Sequence, residues 1–154
     1  MMQAKTLAIP RRFWRVHYDA RVYPGAPEQP ADRANCQVFA YRLLRQFGRN
    51  VPNLRSSELW ADRDHSLTVT DPEPLDLIFF NRTANPFGAH LGVLVGRNRV
   101  LHLSKEVGTP AIWSFEEFAL RPRYSITIGA KRVLLNNHVQ EGVAAEGILT
   151  ICPN

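Results

Sequence analysis

The hydrophobic period of this 154-residue chain changes once, at "DPEP" (residues 71–74), and that change sets the class of fold. Before it, apolar residues recur three and four apart. In "NCQVFAYRLLRQFG" (residues 35–48), Phe39, Leu43 and Phe47 share one helical face, and Ala40 and Leu44 widen the stripe. Arg42, Arg45 and Arg49 point elsewhere. Asp32 or Asn35 suits the N-cap, Gly48 suits the C-terminal cap, and "NVPN" ends the helix. "LRSSELWAD" predicts a second short helix capped by Ser56 or Ser57. After "DPEP" the runs become strand-like: "LDLIFF" (75–80), "AHLGVLVG" (89–96) and "VLHLS" (100–104). The tight "RNR" connection makes the last two a hairpin. "SFEEFAL" predicts a short helix capped by Ser114, and "YSITIGAKRVLL" at least one more strand. Helices first and antiparallel strands afterwards define an α+β chain. The first 31 residues, with Pro10, Pro24, Pro27 and Pro30, read as mostly irregular, and the stretch from Asn136 to Asn154 carries no clear pattern. The length fits a single domain over 1–154, with no repeat and no internal boundary.

The composition excludes several classes. No run approaches the roughly 20 apolar residues of a membrane span. The opening segment has only a short apolar patch, interrupted by Pro10 and followed by Arg11 and Arg12, so no secretory signal is read. The expected location is the cytoplasm as synthesised, or the cell wall by a non-Sec route. The two cysteines, Cys36 and Cys152, form neither a disulfide framework nor a zinc pattern, although a bridge between them stays open. His17, His65 and His138 lack partners at ligand spacing, so no metal site is expected, and no cofactor is implied. The formal charge of +5 is spread over Arg11, Arg12 and Arg15, then Arg42, Arg45 and Arg49, then Arg121, Arg123, Lys131 and Arg132. No block of like charge and no nucleic-acid motif appears. Such a surface suits an anionic polymer such as a bacterial wall, or simply keeps the protein soluble. Oligomeric state is not legible.

One residue is out of place for a plain core helix. Cys36 opens the helix instead of sitting within its apolar face. There it meets unpaired backbone N–H groups and the positive end of the helix dipole, a setting expected to lower a thiol pKa and strengthen a nucleophile. Nucleophilic thiol chemistry also needs a base and a group that orients the base. His90, at the start of one hairpin strand, and His102, on the other, supply candidates. Each residue also has a bland reading: Cys36 as a small buried apolar residue, His90 as a loop-edge histidine, His102 as a polar residue on the exposed face of the sheet. Asp76 reads as a turn or sheet-edge hydrogen-bonding residue. Trp14, Trp60 and Trp113 read as core or groove-lining.

The ordered set "VYPG", "NCQV", "VPNLRSS", "LDLIFF", "HLGVLVG" and "LHLS" resembles the NlpC/P60 family of papain-like cysteine peptidases over about residues 22–124. The family pattern runs from a tyrosine in a Gly-rich loop through "DCSG" at a helix start, "LPR-S" after that helix, a "GDLVFF" strand, then "HVGIY-G" and "hHAS". The interval from His90 to His102 fits the family's short hairpin. The resemblance implies a papain-like fold, with N-terminal helices packed on an antiparallel sheet. It assigns Cys36 as nucleophile, His90 as general base and then acid, and His102 as the residue that orients the base. Tyr23 lies near the family tyrosine that assists at the oxyanion, with Tyr18 as the fallback, and the Cys36 backbone N–H is a further donor. This chain departs from the pattern at Asn35 for the family aspartate, at Gln37-Val38 for Ser-Gly, and at Leu75 for the glycine of "GDL", while Asp76 remains.

The resemblance implies a hydrolase, a thiol peptidase acting on an amide of a bacterial peptidoglycan stem peptide. Its typical bond is the one after γ-D-glutamyl. Two alternatives stand beside it. One is a thiol enzyme on the same scaffold acting on another amide or acyl bond, such as a deamidase, a transglutaminase-like toxin or an acyltransferase. The other is a non-catalytic binding module. The expected partner is a peptide or peptidoglycan fragment, with no nucleic acid.

Overall fold

A computed structural model describes residues 6–135. The tail beyond Leu135, with His138 and Cys152, lies outside the described residues. A 3-10 turn (Arg11–Arg15) leads to a two-residue strand β1 (His17–Tyr18), which pairs in parallel with β2 (Arg33–Ala34). Helices α1 (Cys36–Gln46) and α2 (Ser56–Ala61) follow. Then come β3 (Ser66–Val69), β4 (Leu77–Asn81), β5 (His90–Gly96), β6 (Arg99–Leu103) and β7 (Pro110–Trp113). A short helix α3 (Phe115–Ala119), a second 3-10 turn (Pro122–Tyr124) and β8 (Ile126–Val133) complete the described chain. The six longer strands form one antiparallel sheet in the order β3-β8-β4-β5-β6-β7.

The predicted first helix forms where its caps allow. The Asn35 side chain accepts from the Val38 N–H at 2.9 Å, so Asn35 rather than Asp32 is the N-cap. Gly48 takes φ of +82°, the left-handed conformation that ends a helix. The apolar stripe of α1, with Val38, Phe39, Leu43 and Leu44, packs on Leu77, Phe79, Leu91, Val93, Leu101 and Leu103 of the sheet. The opposite face of the sheet is covered too. Ile78, Phe80, Leu94 and Val100 pack under Trp113, Phe118 and Tyr124. This second layer explains why β4 and β5 read as continuous apolar runs instead of alternating ones. It also corrects one expectation: His102 does face away from Leu101 and Leu103, but that face is buried.

Besides the short β1 and β2, two strands of the main sheet escaped the sequence reading. In β7, Pro110 sits at the start of an edge strand, where its missing N–H costs no ladder bond. The strand β3 is the other edge, only four residues long. The strand predicted from Leu75 is regular only from Leu77, because Leu75 has φ of +81°, although its N–H still donates to the Leu94 carbonyl at 2.7 Å. That conformation costs an L residue about 1–2 kcal/mol, and burial of the Leu75 side chain in the core offsets it. The next residue, Asp76, is fully buried and accepts two hydrogen bonds from Arg132 at 2.9 Å and one from the Glu73 N–H at 2.7 Å. The carboxylate thereby ties β4 to β8. For α2, Arg55 is the N-cap, with Glu58 accepting from its N–H, and neither Ser56 nor Ser57 has that role.

The β5–β6 hairpin pairs Val93 with Leu101 and Leu94 with Val100. Continuing that register sets Gly92 opposite His102. A Cβ on Gly92 would lie 2.5 Å from Val100 Cγ1 and 3.4 Å from His102 Cβ. Gly92→Ala therefore forces the two strands apart. The expected result is a loss of about 1–3 kcal/mol in stability, read as a lower urea midpoint at unchanged m-value. A midpoint within error of the parent would refute this account of Gly92.

Candidate active site

The residues singled out from sequence come from three places in the fold. Cys36 is the first residue of α1, His90 the first of β5, and His102 lies on β6. His90 and His102 sit on the same face of adjacent strands, one diagonal step apart. His90 Nε2 lies 2.9 Å from His102 Nδ1, and the rings meet edge-on at 5.0 Å and 88°. The bland readings of the two histidines, loop edge and exposed sheet face, do not describe this buried pair.

The surroundings favour one tautomer. His102 is packed by Trp113 at 4.2 Å and Phe118 at 4.6 Å, and its Nε2 is buried without a hydrogen-bond partner. If His90 Nε2–H donates to His102 Nδ1, the His102 proton sits on Nε2, against the aromatic rings, where an N–H has weak π contacts. His90 Nδ1 is then left as a lone pair, which is what a base requires. The reverse tautomer would leave a bare Nε2 among apolar rings and put the His90 proton on Nδ1.

Cys36 and His90 line one cleft of about 150 Å³. Tyr18, Asn81 and Tyr124 share its walls, and Lys105 and Arg123 supply two cations at its rim. Tyr124 lies over the His90 ring at 4.6 Å. Tyr23 is elsewhere: it lines a separate surface hollow with Asp19, Arg21 and Pro27, and the Arg55 guanidinium stands 4.9 Å over its ring. The structure thus brings Tyr18, the fallback, beside Cys36, and Tyr23 away from it. The physical reason is the β1–β2 pair, which ties Tyr18 to Ala34 two residues before Cys36.

Three contributors were not legible. Arg123 and Tyr124 come from the turn before β8, far along the chain, and no local pattern marks them. Ser56 was read only as a helix cap. Its Oγ donates to the Pro86 carbonyl at 2.8 Å and accepts from the Ala89 N–H at 3.2 Å, so it fixes the loop that delivers His90. The substituted positions have other work: Asn35 caps α1, and Gln37 turns its amide toward the Leu54 carbonyl at 3.5 Å, away from the cleft.

The electrostatics correct one expectation. The Cys36 thiol is raised, not lowered. Crowding by protein atoms at the helix start is the largest influence, and it outweighs the Leu91, Gln37 and Cys36 backbone groups that act to lower it. His90 is held far below the ordinary imidazole value by burial, with a further push from Arg123. His102 is lowered as well, by burial first and then by the charges of His90 and Arg121. The resting pair is therefore neutral thiol and neutral imidazole. The phenol of Tyr18 is raised by burial and next by the nearby Cys36.

By sequence, the chain matches no protein-family model and no curated protein. By structure it is similar to an NlpC/P60 family protein from Bacillus cereus, with TM-score 0.55 and 17% identity over 84% of this chain and 42% of that one. It is also similar to an NLP/P60 family, lipoprotein-like protein from Staphylococcus aureus, with TM-score 0.56 and 21% identity over 81% of this chain and 39% of that one. A weaker match is the NlpC/p60 domain of the peptidoglycan hydrolase SagA, with TM-score 0.48 and 16% identity over 74% of this chain and 87% of that one. The chain spans about two-fifths of the length of the first two structures. It has the α+β fold of NlpC/P60 proteins, and at these identities the likeness is one of fold. No helix among the described residues is long and apolar enough to cross a membrane.

Two outcomes follow from the neutral pair. First, both histidines gain protons on unfolding below about pH 6.5, the ordinary imidazole value, while their native forms stay neutral. Their contribution is therefore intact above that pH and is lost as pH falls toward the depressed native values. Urea midpoints taken between pH 6.5 and 5 should drop, with a slope approaching about 1.4 kcal/mol per pH unit for each histidine. His102→Phe should remove about half of the slope, and a flat profile for the parent protein would contradict neutral burial. Second, alkylation of the Cys36 peptide by iodoacetamide, followed by mass spectrometry, should climb through pH 8.5 and above. A plateau reached by pH 6 would instead reveal a preformed thiolate–imidazolium pair.

Proposed function

We propose that the protein is a thiol-dependent amide hydrolase that cleaves a stem peptide of bacterial peptidoglycan, with Cys36 as nucleophile, His90 as general base and acid, and His102 as the group that orients His90. The observation that carries this reading is the 2.9 Å contact between His90 Nε2 and His102 Nδ1 at the edge of a cleft that Cys36 shares. The ordered motifs of the sequence and the NlpC/P60 fold support the choice of a wall peptide.

The chemistry starts from neutral groups. Cys36 Sγ attacks the amide carbonyl while its proton passes to His90 Nδ1, so the thiolate forms only as the new C–S bond forms. The carbonyl oxygen becomes an oxyanion. The Cys36 N–H at the first position of α1, which lies within the unpaired first turn, is one donor to it, and the Tyr18 hydroxyl is the other candidate. Collapse breaks the C–N bond, and the leaving amine takes the proton held by His90. Water then gives a proton to His90 and attacks the thioester, which releases the acid and restores Cys36–SH. His102 holds the His90 ring through Nε2 during both halves, so that Nδ1 stays directed to the reacting atoms. The cations Lys105 and Arg123 at the rim suit a substrate with a carboxylate beside the scissile bond. Arg123 also disfavours a second positive charge on His90, which hastens return of the proton to the leaving amine.

Cys36→Ala is expected to abolish release of muropeptide fragments, followed by mass spectrometry, with the unfolding midpoint unchanged. His90→Ala should lose at least about a thousandfold in kcat, and His102→Ala a smaller factor of about 10–100. Undiminished turnover by Cys36→Ala would reject the mechanism. Intact muropeptides alongside thiol-dependent release of ammonia or acyl groups from other substrates would keep the nucleophile and change the reaction.

A further inference from the structure

Two of the basic clusters that are separated in sequence meet in space. Arg12 and Arg15 lie three residues apart on the first 3-10 turn, where that spacing puts both on one face. Arg42 and Arg45 lie three apart on α1, again on one face. The two pairs border a groove of about 640 Å³ whose floor includes Phe13 and Phe39. It shares no lining residue with the Cys36 cleft.

The four guanidinium groups outnumber the carboxylates beside them. Among the described residues none of them makes a salt bridge, and Asp32 is the one carboxylate in the groove lining. Their partners are neutral. Arg12 donates to the Gln46 amide oxygen and stands 4.8 Å over the Phe13 ring. Arg42 donates to the Ala31 and Arg33 carbonyls at 3.2 and 3.0 Å. Arg42 is further disfavoured as a cation by partial burial and by Arg45 beside it, with Asp32 acting the other way and only partly offsetting them. Like charges held together in this way repel, and an anion bridging them relieves the repulsion. Guanidinium groups in particular offer paired donors that match a phosphate.

We propose that this groove binds a linear polyol-phosphate polymer, its phosphates on the arginine pairs and its hydroxylated links spanning the groove between them. A nucleic acid fits less well, because single-strand binding depends on aromatic faces that bases can stack upon. Phe13 and Phe39 are only 5% and 1% exposed and are engaged edge-to-face with each other at 6.1 Å. A polymer of short hydroxylated links and regularly spaced phosphates needs no such face. The site does not depend on the reading of Cys36, and Cys36→Ala should bind as the parent does.

The test is calorimetric titration of the full chain with a synthetic glycerol-phosphate oligomer of about ten units, at several salt concentrations. With four phosphates engaged, the slope of log K against log salt should be about −3, from roughly 0.7 per contact on a flexible single chain. Arg15→Gln and Arg45→Gln remove exposed side chains that hold nothing else in place. Each should weaken binding by roughly threefold and flatten the slope by about 0.7, with the unfolding midpoint unchanged. Absence of binding at low salt would overturn the proposal. So would affinity unaltered in the double variant, or tighter binding of oligothymidylate or polyglutamate of equal charge.

Discussion

The antiparallel pairing of β5 with β6 is the constraint on which the site depends. Side chains alternate across a strand with a period of two, so the register decides every facing. With Val93 opposite Leu101, His90 and His102 fall on one face, a diagonal step apart, and Leu91, Val93, Leu101 and Leu103 fall on the other. A slip of one residue in β6 would carry His102 to the α1 side, away from His90, and turn Leu101 and Leu103 out of that interface. The apolar packing of α1 thus fixes the register, and the register delivers the histidine contact. Gly92 completes the arrangement, because only a residue without a side chain lets Val100 and His102 approach so closely.

The strand next to this hairpin is anchored in a different way. Asp76 is buried, yet it is held by two bonds from Arg132 on β8 and one from a backbone N–H, so its charge is matched by donors. The turn that aims Asp76 inward requires Leu75 in the left-handed region, where glycine is the easy choice. The leucine keeps the conformation and adds an apolar side chain to the core. Substitution at a pattern position therefore preserves the backbone geometry while changing how its cost is offset.

What the sequence made legible divides along physical lines. Helix α1, the hairpin and the helix at Ser114 were readable because period, caps and turn chemistry agree over short stretches. The hairpin made it readable that His90 and His102 lie on adjacent strands, and the observed register sets them one diagonal step apart. Their burial was not readable, because it comes from Trp113, Phe118 and Tyr124, which arrive from β7 onward and carry no local sign of where they pack. Sequence put Tyr23 ahead of Tyr18, and the structure places Tyr18 in the Cys36 cleft, because a two-residue parallel pair that sequence does not reveal sets which of them lies there. The convergence of Arg12 and Arg15 with Arg42 and Arg45 was hidden for the same reason: charge is legible in sequence, and proximity across thirty residues of irregular chain is not.

The raised Cys36 thiol has a general lesson in it. A helix start stabilises an anion by a few tenths to about one kcal/mol when exposed, whereas burying a charge without full compensation costs more than that. At Cys36 both act on the same sulfur, and burial wins. The same burial lowers His90, so proton transfer from sulfur to imidazole is uphill while the cleft is empty. In the proposed reaction a bound carbonyl changes the balance, because the negative charge then moves from sulfur to an oxygen within reach of the N–H at the head of α1. On that reading the helix start acts on the developing oxyanion more than on the resting thiol.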